Sequence, residues 1–106
     1  MFRTPKAAEV NFVGTWTGGF VFNGVKVRQV IKFTNNGRYE GLNKFSGPAG
    51  TTSNEDSGTY SVSKNKMILK SDVTGITLTR RFEANGDSVD VEVEEVGQTV
   101  TFSRVK

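Results

Sequence analysis

Gln29, Asn43, Ser71, Arg80 and Arg104 are polar residues at positions where strand alternation turns a side chain inward. A buried polar group without a partner costs about 1–3 kcal/mol, so these must be satisfied by one another, by water or by a ligand. Arg80, set between Leu78 and Phe82, has three outlets. It could hold a carboxylate or phosphate, pair with Glu95 on the next strand, or face outward through a bulge that shifts register. The chain contains no histidine and no cysteine. That removes the commonest general acid/base, the commonest metal ligand and all thiolate chemistry. Acid–base work would fall to Tyr, Asp, Glu, Lys or Arg, yet no two carboxylates share an inward face, since Asp90, Glu92 and Glu94 alternate outward. Neither a phosphate-cradling glycine motif nor a metal-ligand cluster is present. No cofactor and no metal is therefore expected, and binding is favoured over catalysis.

The elements that must position these residues are short strands. Segments near 12–22, 25–33, 38–45, 57–62, 67–73, 76–83, 88–96 and 98–105 alternate with period two and are rich in Val, Thr and Phe. Asn23-Gly24 is the strongest hairpin signal, because both residues tolerate positive φ. Asn35-Asn36-Gly37, Lys64-Asn65-Lys66, Thr74-Gly75, Asn85-Gly86 and Gly97 mark other short links. The one long connection is Ser46–Asp56, polar and carrying Gly47-Pro48 and Gly50. No segment has helical periodicity. The predicted fold is all-β, an eight-stranded antiparallel up-and-down barrel, with residues 1–11 as an N-terminal arm and 12–106 as a single barrel domain.

Parity with Trp16 then selects the interior. Phe12, Phe20 and Phe22 share its face, followed by Val25, Val27, Gln29, Ile31 and Phe33, then Tyr39, Asn43 and Phe45. Tyr60, Val62, Met67, Leu69, Ser71, Val73, Ile76, Leu78, Arg80 and Phe82 continue it, and Val89, Val91, Val93, Val100, Phe102 and Arg104 complete it.

Gly14-Thr15-Trp16 on the first strand, a basic inward residue on the last (Arg104) and an eight-strand meander resemble the calycin superfamily, which holds lipocalins, fatty-acid-binding proteins and avidins. The resemblance implies that Trp16 plugs the closed end and that Arg104 stacks on its indole and bonds nearby backbone, both in structural roles. It also implies an inward Arg80 suited to an anionic head group. The chain departs from those families in having no C-terminal helix, no helical lid and only one tryptophan, which leaves the ligand class open.

Even-numbered connections share one end of such a meander, so Ser46–Asp56 would lie over the mouth as a lid, opposite Trp16. Beneath it, the expected ligand-binding residues are Phe20, Phe22, Val27, Gln29, Asn43, Phe45, Tyr60, Leu69, Leu78, Arg80 and Val93. An apolar pocket with a few placed polar groups suits a small hydrophobic or amphipathic molecule. The competing arrangement is a barrel filled by its own phenylalanines. Two other functions remain open. Pro5-Lys6-Ala7-Ala8-Glu9-Val10 is faintly similar to the N-terminal trunk of small bacterial metalloprotease inhibitors, which use an eight-strand barrel to bind enzymes. Some calycin-like barrels instead cyclise a substrate by holding it folded.

Charge is unevenly placed: residues 1–53 hold seven Lys/Arg against two Asp/Glu, and 54–106 hold seven against nine. Lys26, Arg28 and Lys32 face outward without interleaved aromatics, which argues against nucleic acid. Opposed basic and acidic walls could support weak homo-oligomers. No apolar run approaches the ~20 residues needed to span a bilayer. Met1–Asn11 lacks the apolar stretch of a secretory signal, so the chain reads as cytoplasmic, or as secreted if a signal has been removed.

Overall fold

The computed structural model describes residues 11–105. They form a closed barrel in which eight antiparallel strands follow one another in sequence order and β8 returns to β1. The strands are β1 (Gly14–Phe22), β2 (Val25–Phe33), β3 (Arg38–Gly47), β4 (Gly50–Ser63), β5 (Lys66–Ser71), β6 (Thr77–Asn85), β7 (Ser88–Val93) and β8 (Gln98–Arg104). No described helix is long and apolar enough to cross a membrane. Residues 1–10 of the expected arm lie outside the described residues.

Hairpin chemistry sets the register. Asn23 and Gly24 both take positive φ, 52° and 77°, and pair Phe22 with Val25 across a two-residue turn. From there β1 and β2 stay in step down to Gly14 opposite Phe33. Closure between β1 and β8 is shorter, running from Trp16 opposite Arg104 to Gly18 opposite Phe102. Higher up, the Gln98 side chain takes over, its Nε2 donating to the Val21 carbonyl at 2.8 Å.

The fully buried residues crowd one end. Trp16, Phe33, Tyr39, Met67, Phe82, Val89, Val100 and Phe102 pack together with Phe12, which reaches in from the segment before β1. The Phe12 ring lies 5.6 Å from Trp16, 5.8 Å from Phe33 and 5.1 Å from Phe82, the last two edge-on as aromatic quadrupoles prefer. At the base the Arg104 guanidinium sits 4.3 Å from the centre of the Trp16 ring. This end is solidly filled.

The opposite end differs from the sequence expectation. Ser46–Asp56 is not a loop over the mouth: β3 runs to Gly47, the turn is Pro48-Ala49, and β4 starts at Gly50. Pairing holds without interruption from Gly47 opposite Gly50 to Arg38 opposite Thr59. The expectation failed because the inward positions here are Thr52, Asn54 and Asp56, so no apolar alternation reveals the strand. Conversely, Val73 and Ile76 are exposed rather than inward. β5 stops at Ser71, and a turn closed by Gly75 N–H to Ser71 O and Ser71 N–H to Ile76 O breaks the alternation. Glu94–Val96 form one 3-10 turn ended by Gly97 in the left-handed region, not the end of a strand.

β4 is thus much longer than β5, which pairs with it only between Gly58 and Ser63. The Ser57 carbonyl accepts from Asp72 N–H, whereas Tyr60 N–H donates to the Gly37 carbonyl. Odd residues of β4 therefore aim their backbone groups toward β5 and even residues toward β3. It follows that the backbone groups of Thr51, Ser53 and Glu55 face no neighbouring strand. Gly58, opposite Ser71, is where the pairing of the two strands begins. A Cβ there would lie 1.9 Å from the Lys70 carbonyl oxygen and 3.0 Å from the Tyr39 ring, which only glycine avoids.

Candidate functional site

Above the aromatic floor the barrel holds a cavity of about 230 Å³, with Phe12 and Trp16 at its base. Its composition follows from strand parity. On β1, β5, β6 and β7 the inward positions above the floor include Phe20, Leu69, Leu78, Val91 and Val93, which supply a mainly apolar wall with Arg80 set into it. On β2, β3 and β4 Gln29, Asn43 and Asp56 supply a polar one, with Ile31 the apolar neighbour of Gln29 on β2.

Of the residues expected at a ligand site, Phe20, Gln29, Asn43, Leu69, Leu78, Arg80 and Val93 line this cavity. Phe22, Val27, Phe45 and Tyr60 do not. Phe22 is exposed beside the Asn23-Gly24 turn. Val27 is buried in register with Phe20 on one side and Phe45 on the other, part of the sheet packing. Tyr60 packs edge-on against Phe33 at 4.7 Å, and its hydroxyl donates to the Thr34 carbonyl at 3.0 Å. Burial raises the pKa of this phenol above its ordinary value.

The amides of the polar wall form a ladder because Gln29, Asn43 and Asn54 are opposite one another across three strands. Gln29 Nε2 donates to Asn43 Oδ1 at 3.0 Å, and Asn43 Nδ2 donates to Asn54 Oδ1 at 3.0 Å. Arg80, the inward cation, is bound in a two-point pair with Glu95 from the 3-10 turn, with Nη2 donating to Oε2 at 2.6 Å and Nη1 to Oε1. Those bonds hold the Glu95 carboxyl below its ordinary value. Of the three outlets open to Arg80 in the sequence, the structure takes the pairing.

Asp56 lines the cavity as well, and sequence reasoning missed it. Tyr39 Oη donates to Asp56 Oδ2 at 2.8 Å, and Ser71 Oγ donates to Oδ1 at 2.5 Å. Ser71 Oγ itself accepts the N–H groups of Val73 and Thr74, both at 3.1 Å, which directs its single proton at the carboxylate. Burial first, and the bond to Asp56 second, push the Tyr39 hydroxyl up to about 12, so it stays a donor at neutral pH. Among the described residues no Lys or Arg nitrogen lies within salt-bridge distance of Asp56. A signal existed in the sequence. Counting back from Tyr60 by twos through Gly58 reaches Asp56 on the inward face.

No group of three or more acidic side chains among the described residues is placed to hold a metal ion. What the arrangement can do is bind: an apolar wall for a hydrocarbon body, and amide and carboxylate oxygens for hydrogen-bond donors. No protein-family model matches this chain, and no curated protein matches it in sequence.

Proposed function

We propose that this protein is a lipocalin-like, calycin-type binding protein that holds a small amphipathic molecule inside its barrel. The observation that carries the reading is the 230 Å³ cavity bounded by one apolar and one polar wall above a sealed floor. Size narrows the ligand. An apolar cavity of ~150 Å³ accommodates benzene, so by proportion this one suits a molecule of about nine heavy atoms. That is a small aromatic or a short branched chain rather than a long-chain lipid. The first-strand tryptophan with a last-strand arginine over its ring supports the calycin resemblance on which the reading leans.

The test uses phenethyl alcohol, a neutral amphipath of that size. Trp16 lines the cavity and is the only tryptophan, so its emission reports occupancy directly. Binding should shift that emission and raise the melting temperature; ligand at about a hundredfold its Kd adds about 2.7 kcal/mol. Leu69→Trp, which fills the cavity, should abolish both responses. An equal response from the filled variant, or an unchanged emission and melting curve with millimolar alcohol and with the amine and carboxylate of the same shape, would refute the reading.

A further inference from the structure

The charge inside the barrel selects among amphipaths. Among the described residues, only Asp56 and Arg80 bring formal charge to the cavity wall. Arg80 keeps N–H groups beyond the two it gives Glu95, but its charge is already balanced by that carboxylate, which weakens its pull on an anion. Asp56 has no such partner: its two hydrogen bonds come from neutral hydroxyls, Tyr39 and Ser71. Each bond uses one acceptor site on one carboxylate oxygen. A carboxylate has about four such sites, which leaves one on each oxygen for a guest. Among the described residues, the cavity wall therefore carries one negative charge with no cation within salt-bridge distance.

We infer that the natural ligand is a small organic cation, a primary or secondary amine whose ammonium group bonds Asp56 while its apolar body lies against Leu69, Leu78 and Val93. The inference rests on the proposal that the cavity binds a small molecule and adds the sign of its charge. The amide ladder spends one N–H of Gln29 Nε2 and one of Asn43 Nδ2 internally and keeps both donors and acceptors for a neutral guest, so the sign preference comes from the Asp56 carboxylate alone. Hydrogen bonds between ionised partners are roughly twice as strong as neutral ones, and more so away from bulk water. A structural explanation of Asp56, as an acceptor for two hydroxyls, accounts for only one site on each oxygen. It predicts no preference for cations.

Three probes of one shape separate the possibilities: phenethylamine, phenethyl alcohol and phenylacetate, titrated calorimetrically into the full chain at neutral pH. The expected order is amine, alcohol, carboxylate, with the amine favoured over the alcohol by about tenfold or more, equivalent to about 1.4 kcal/mol. Asp56→Asn should cancel that advantage while leaving alcohol binding within a few-fold. Should that variant fold poorly, Glu95→Gln serves instead. It unpairs Arg80 from the exposed side and should strengthen phenylacetate binding several-fold. Alcohol binding as tight as amine binding, or a preference for phenylacetate in the unaltered protein, overturns the inference and leaves the binding function standing. Failure of all three probes to bind overturns both.

Discussion

Replacing Arg104 with methionine tests the floor of the barrel, on which the cavity depends. Asn11, Phe12 and Val13 precede β1 and have no strand partner of their own, yet Phe12 is among the most buried residues. Their three successive carbonyls are all taken by side chains. Arg104 Nη2 donates to Asn11 O at 2.7 Å, Trp16 Nε1 to Phe12 O at 2.9 Å, and Arg104 Nη1 to Val13 O at 2.8 Å. The guanidinium thus ties this segment down while stacking on the indole that carries the middle bond. Methionine keeps the stem packed on Trp16 and deletes both donors and the charge.

Hydrogen bonds from a charged donor contribute about 1.5–3 kcal/mol each. These are solvent-accessible, so each falls below that range at about 1 kcal/mol, giving about 2 kcal/mol for the two. A partly exposed cation–π contact adds about 0.5–1 kcal/mol. The contact of Arg104 Nε with Asp87 at 3.6 Å is too exposed to count. The expected loss is about 3 kcal/mol, or a fall in melting temperature of roughly 12–24 °C for a domain of this size. Lysine, which keeps the charge but not the fork, should lose about half as much. Urea unfolding followed by circular dichroism measures the difference, with an unchanged m-value showing that the same surface is exposed. A loss below about 0.5 kcal/mol for the methionine variant would mean that the guanidinium does not hold the segment, and the account of the floor would be wrong.

Two further outcomes follow from the polar wall and its neighbours. The Tyr39 hydroxyl is raised from 10.0 to about 12 in the fold, so the stability it contributes is complete below pH 10 and is lost as pH rises through 12. Tyr39→Phe should therefore flatten the alkaline fall in stability by an amount on the order of 2–3 kcal/mol, and parallel alkaline limbs for the two proteins would exclude this. Amide hydrogen exchange should distinguish odd from even residues on upper β4, with Thr51, Ser53 and Glu55 exchanging on the order of tenfold or more faster than Thr52 and Asn54. Equal protection would show that something covers that edge, a second copy of the chain being the simplest candidate.

Strands whose inward side chains are apolar were legible in the sequence, and strands whose inward side chains are polar were not. β2 runs over Val25–Phe33, as alternation predicts, because Val27, Ile31 and Phe33 mark one face and Lys26, Arg28 and Lys32 the other. Turns announced by Asn-Gly were equally clear. Two errors share one physical origin, a reliance on hydrophobic period alone. It hid upper β4, where Thr52, Asn54 and Asp56 face in, and it extended inward parity through Val73 and Ile76, where the backbone turns back on itself. The pairing of Arg80 with Glu95 was one of three options because the acidic run Glu92–Glu95 could not reveal where its strand ended. The 3-10 turn after Val93 is what brings Glu95 back to the barrel.

The residues that concealed upper β4 also explain why it can stand without β5. An inward face of valines and phenylalanines at Thr52, Asn54 and Asp56 would need a neighbouring strand to keep water from its flank. At about 25 cal/mol per Å² of apolar surface, leaving such side chains uncovered would cost several kcal/mol. Threonine, asparagine and aspartate carry no such penalty, and their backbone edge can be satisfied by solvent. β5 is therefore free to end at Ser71, and its ending is what lets the Val73 and Thr74 amides converge on the Ser71 hydroxyl. That hydroxyl in turn donates to Asp56. A β5 extended to match β4 would spend those two amides on strand pairing, and Ser71 would lose the contacts that fix its proton on the carboxylate. The short strand and the oriented Asp56 are thus consequences of one choice of residues, and the polar wall of the cavity coincides with the least-braced part of the barrel.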